Sequence, residues 1–81
     1  MLAMETVNLG DLEGAARIFE ELLSRDPDYG AAYFHGGQTC EKLGRIDAAR
    51  DLYRRGIEAT SRNGDSHTRS ELQGALDMLG G

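Results

Sequence analysis

The chain has 81 residues, 40% of them hydrophobic and 28% charged, with a formal net charge of −5. This describes one small soluble domain near the lower size limit for independent folding, too apolar for a disordered tail and lacking the roughly 18-residue apolar run of a membrane span. Net acidity argues against a nucleic-acid partner, because phosphate binding relies on clustered Lys and Arg.

The opening residues Met1-Leu2-Ala3-Met4-Glu5 carry no basic group and no long apolar stretch, so no secretory signal is expected. Leu2, Thr6 and Leu9 keep a helical spacing and predict a short helix over about 1–9. Leu9-Gly10 is expected to turn the chain, since glycine tolerates the left-handed conformation that ends helices. Leu12, Ala15, Ala16, Phe19, Leu22 and Leu23 recur at spacings of three and four and predict a helix over 12–25. Asp26-Pro27-Asp28 breaks that helix, and Asp28 is the expected N-cap of the next.

Ala32, Tyr33, Gly36, Gly37, Cys40 and Leu43 form the apolar stripe of a helix over 29–43, ended by a second Leu-Gly at 43–44. Ile46, Ala49, Leu52, Tyr53 and Ile57 do the same for 46–60. The cluster Arg62-Asn63-Gly64-Asp65 reads as a turn whose last residue caps a helix over 66–79, with Leu72, Ala75, Leu76 and Leu79 as its apolar side. An all-α chain of about five helices follows. Gly36, Gly37 and Gly56 fall inside these helices, each costing on the order of 1 kcal/mol relative to alanine. Gly37 is expected to face the neighbouring helix near Ala15 and Ala16; for Gly36 the sequence offers no comparable reason.

Laid against itself with a shift of 34, the chain repeats: Leu9-Gly10-Asp11-Leu12 falls on Leu43-Gly44-Arg45-Ile46, Ala15 on Ala49, Ile18-Phe19 on Leu52-Tyr53 and Leu23 on Ile57. That period marks a helix–turn–helix unit that stacks into a solenoid. Charge is divided between the halves. Residues 1–30 hold seven acidic and two basic groups, whereas 41–69 hold seven basic and five acidic.

Little here suggests chemistry. His35, His67 and Cys40 are too few and wrongly spaced for a zinc site, and Cys40 lies on an apolar stripe where a core thiol is expected. Asp65, Ser66 and His67 are adjacent at a helix start and cannot converge as a catalytic triad. Gly36-Gly37 lacks the strand and GK[ST] of a phosphate loop, and no calcium-binding ladder is present. Arg54 and Arg55 stand at helical spacing from Asp51 and Glu58, so ion pairs on a solvated face account for them better than a DNA-reading helix does. The expectation is no enzyme, no catalytic residue, no metal and no cofactor, with a lone cysteine that suits a reducing cytoplasm.

The pattern of a small residue, an aromatic four positions on and a proline eight beyond, met by Ala15, Phe19 and Pro27 and begun again by Ala49 and Tyr53, resembles the tetratricopeptide repeat. Tyr33, Gly37 and Cys40 occupy places where that family has an aromatic, a glycine and an aromatic. Gly36 replaces the usual leucine, Ser61 the second proline, and Gly56 a small non-glycine residue. The resemblance implies a superhelix of antiparallel helical hairpins in a single domain: a first hairpin over 1–26 with a short first helix, a second over 27–61, and a capping helix over 62–81. Stable stacks usually need three or more repeats, so the closing helix or self-association is expected to supply the missing burial.

The same resemblance implies a concave groove lined by the first helix of each hairpin. Its positions fall on Met4, Val7 and Asn8 in the first, and on Ala31, Phe34, Gln38, Glu41 and Lys42 in the second, with His35 as a possible hydrogen-bonding member. Phe34 either anchors a partner in this groove or packs under helix 66–79. One subfamily of these repeats grips carboxylate tails with Lys, Asn and Arg, and the first helix does not supply the Lys and Asn pair. The implied function is a scaffold or adaptor that binds another protein, as a peptide or a helix, with no role for nucleic acid or membrane. The alternative is a self-associating, chaperone-like structural element whose acidic front attracts the basic back of another copy.

Overall fold

The computed structural model describes residues 9–80, which form four helices: α1 (Leu9–Arg25), α2 (Gly30–Lys42), α3 (Ile46–Asn63) and α4 (Ser66–Met78). No strand occurs among the described residues. The expected helix over 1–9 lies outside them, apart from Leu9. Short loops make consecutive helices antiparallel neighbours, with α2 between α1 and α3 and with α4 resting on both α3 and α2. Contact between helices two apart in sequence is what winds hairpins into a superhelix.

The loops follow from local chemistry. At the end of α2, Gly44 adopts φ 78°, and the Arg45 N–H closes on the Cys40 carbonyl at 2.8 Å. This satisfies a carbonyl that the helix leaves unpaired. Gly64 repeats the device after α3, where the Asp65 N–H reaches the Thr60 carbonyl at 3.0 Å. Asp65 then caps α4, its carboxylate accepting from the Thr68 N–H at 3.2 Å.

Two expectations about loops fail. Leu9-Gly10 is not a turn but the first step of α1, and Gly10 is not among the glycines of positive φ. A glycine in a first helical turn forfeits no intrahelical N–H bond, and Asp11 sets a carboxylate at the positive end of the helix. Asp28 does not cap α2, whose N-cap is Tyr29 without a side-chain bond. The Asp28 carboxylate instead accepts from Arg62 Nη2 at 3.0 Å, and its backbone carbonyl accepts from Asn63 Nδ2 at 3.0 Å. The α3 helix runs three residues past the expected 60, to Asn63, and that extension brings both donors to the loop.

The core joins Leu23 of α1, Ala32, Tyr33 and Cys40 of α2, Ala49, Leu52, Tyr53 and Ala59 of α3, and Leu72 and Leu76 of α4. Ile46, expected in this stripe, is exposed at the first position of α3, and Ile18 is exposed although its repeat partner Leu52 is buried. Buried hydroxyls are paired: Tyr33 donates to the Pro27 carbonyl at 2.7 Å, and Thr60 to the Gly56 carbonyl at 2.8 Å.

Gly36, Gly37 and Gly56 mark close approaches, although Gly37 does not make the expected one. A Cβ on Gly37 would stand 2.7 Å from Tyr53 Cζ, so Gly37 faces α3 and not Ala15 and Ala16 of α1. Gly36 is the residue against α1, where a Cβ would lie 3.2 Å from Phe19 Cβ. Gly56 admits α2 and α4 together, since its Cβ would meet Tyr33 Cβ at 2.6 Å and Leu72 Cδ1 at 2.9 Å. The propensity cost of each glycine is thus offset by burial of a neighbouring ring or leucine.

Candidate protein-binding groove

A cleft of about 370 Å³ runs between α2 and α4. Its α2 wall is Phe34, Gln38 and Glu41, and its α4 wall is Glu71, Gly74, Ala75 and Met78. Each set spans seven positions at spacings of three and four, so each is one face of its helix. The volume lies in the range of pockets that hold small ligands or a few side chains.

Phe34 is half-buried against the core, its ring centroid 6.4 Å from that of Tyr53, and it also forms the cleft floor. Ala75 and Met78 continue that apolar floor, and Met78 is 87% exposed. Glu41 is half-buried, and its carboxylate accepts a hydrogen bond from the Tyr53 hydroxyl. Burial, then this hydrogen bond and the carboxylate's charge, push the Tyr53 phenol well above its ordinary value. Across the cleft, Glu71 Oε2 lies 3.5 Å from His67 Nε2, one helical turn earlier on α4.

The other residues named from sequence stand elsewhere. Ala31 is half-buried and Lys42 exposed, and neither lines the cleft. His35 is exposed on the α1 side of α2, stacked on Phe19 at 6.3 Å and edge-on to Phe34 at 5.6 Å. Met4, Val7 and Asn8 lie outside the described residues. The α4 wall was missed, as was the hold of Tyr53 on Glu41. Glu71, Gly74, Ala75 and Met78 do share one face by spacing, but only docking of α4 on α2 brings that face opposite Phe34.

The described residues offer little to a reaction. Cys40 is buried, and burial raises its thiol, which Arg45 only partly counters, so the group is held protonated and away from reagents. No group of three His, Cys, Asp or Glu side chains among the described residues is placed to hold a metal. No described helix is long and apolar enough to cross a membrane.

A family model for the tetratricopeptide repeat matches residues 1–64. The chain belongs to the tetratricopeptide repeat family. Tetratricopeptide repeat protein 8 of Caenorhabditis elegans is 45% identical over 47 residues, which make up 58% of this chain and 9% of that protein. The chain therefore spans about a tenth of that relative. Among solved structures, the solution NMR structure of a tetratricopeptide repeat domain protein from Salinibacter ruber matches with a TM-score of 0.81 at 40% identity, over 85% of this chain and 70% of that one. A crystal structure of a tetratricopeptide repeat domain protein from the same organism gives 0.80 at 38%, over 94% and 84%. Repeats of this family are in general protein-interaction scaffolds with a non-catalytic fold.

Proposed function

We propose that this tetratricopeptide chain is a protein-binding adaptor that receives a peptide or a partner helix in the cleft between α2 and α4. The observation that carries this reading is the cleft wall itself: Phe34, Gln38 and Glu41, at the family's groove positions, face a second helix across an apolar floor. An exposed methionine beside a half-buried aromatic ring is the kind of surface that anchors a partner side chain. In this reading 1–26 and 27–61 are two hairpins and 62–81 is the cap that completes the cleft. The chain is a binder and no enzyme, and its free thiol suits a reducing cytoplasm.

Self-association draws less support. Arg45, Arg50, Arg55 and Arg62, four of the cations that would attract another copy, are already paired with Glu13, Asp47, Asp51 and Asp28 of their own chain.

Affinity capture from native cell extract tests the adaptor reading, with Met78→Asp as the control, because Met78 is exposed and its loss leaves the core intact. A partner held by the native chain and lost by Met78→Asp at equal helicity is the expected result. A partner retained equally by both would remove the cleft from the binding surface.

A further inference from the structure

The cleft has a definite electrical polarity. Its floor of Phe34, Ala75 and Met78 is apolar, and a carboxylate stands on each wall, Glu41 on α2 and Glu71 on α4. Among the described residues, no lysine or arginine lines it. Glu41 is not a freely rotating surface group, since the buried Tyr53 holds its carboxylate from below. A preorganised carboxylate beside an apolar floor attracts a cation with less ordering cost than a mobile one. An acidic tail brought to the same cleft would meet two like charges.

Resting on the groove reading above, we infer that the occupant is a peptide segment in which a lysine or arginine stands beside a large apolar side chain. The apolar group enters between Phe34, Ala75 and Met78, and the cation lies between Glu41 and Glu71. Gln38, exposed on the same wall, is available to the segment's backbone. This polarity is opposite to that of a groove built for carboxylate tails.

The test is selection of displayed random short peptides on the native chain, in parallel with Glu71→Lys and Met78→Asp, after circular dichroism shows equal helicity. Selected peptides are expected to carry Lys or Arg near a Leu, Met, Ile or Phe. Their synthetic copies should weaken up to about fivefold when the basic residue becomes Gln, and by a similar factor on Glu71→Lys. Added salt should narrow both differences.

Neutral or acidic peptides that still depend on Met78 would overturn the charge inference and leave the groove reading standing. Peptides that bind Met78→Asp as well as the native chain would overturn both. So would failure to select any peptide above an unrelated helical domain.

Discussion

Arg62 and Asp28 stand 34 positions apart, one repeat length, and meet in space with Nη2 3.0 Å from the carboxylate. The end of α3 thereby grips the loop that starts α2. Both side chains are more than half exposed, so the pair contributes only about 0.2–1 kcal/mol. Asp28→Asn should lower the thermal midpoint by a few degrees at low salt, and the difference should vanish at high salt. If Asp28 were instead the N-cap, asparagine would replace it without loss at any salt.

Two glycines should respond oppositely to alanine. Gly37→Ala sets a Cβ against the fully buried Tyr53 ring. Overpacking there should cost about 1–3 kcal/mol, more than the roughly 1 kcal/mol of helix propensity gained. Gly14 has nothing within 4 Å of a built Cβ, and its repeat partner is already Ala48. Gly14→Ala should therefore raise stability by up to about 1 kcal/mol. Urea midpoints measure both, and a stabilising alanine at 37 would mean that the Tyr53 ring yields.

Stability should fall in alkali through Cys40 and Tyr53. Burial is the largest cause that raises each above its ordinary value, 9.0 for the thiol and 10.0 for the phenol. The unfolded chain gives up these protons first, so their contribution is complete below pH 9.0 and is lost as pH climbs toward the folded values. The slope approaches about 1.4 kcal/mol per pH unit for each group. Tyr53→Phe should start about 1 kcal/mol less stable at neutral pH, lacking the bond to Glu41, yet lose less as pH rises. An alkaline slope identical in native, Tyr53→Phe and Cys40→Ala chains would refute the assignment.

Leu72 ties α4 to the rest. It is fully buried, with Cδ1 packed at Gly56. Leu72→Ala should cost about 2–5 kcal/mol, a large share of a small domain's stability. Hydrogen exchange should show α4 amides losing protection before those of α2 and α3. Met78→Ala on the same helix should stay within about 0.5 kcal/mol of the native chain. A cost near zero for Leu72→Ala would mean that α4 is dispensable to the fold.

Residues of the cleft were legible in proportion to how local their signals are. Phe34, Gln38 and Glu41 share one helical face by spacing alone, and a resemblance to a known repeat was enough to name them. Glu71, Gly74, Ala75 and Met78 share a face as plainly, but nothing in their order says which helix they look at. His35 was grouped with the groove through the same resemblance, whereas its place one residue on from Phe34 turns it toward Phe19 on α1.

The order of residues determined the period, the stripes of α2 and α4, the turn at Gly44 and the cap at Asp65. Each depends on groups within about one helical turn, whose geometry the backbone dictates wherever it occurs. Only the tertiary structure decided that Gly37 meets Tyr53 while Gly36 meets Phe19, that Asp28 answers Arg62 and not its own helix, and that Tyr53 reaches from the core to hold Glu41. Those partners come from different helices, and which of them touch depends on how the helices cross and slide, a choice made by packing many side chains at once.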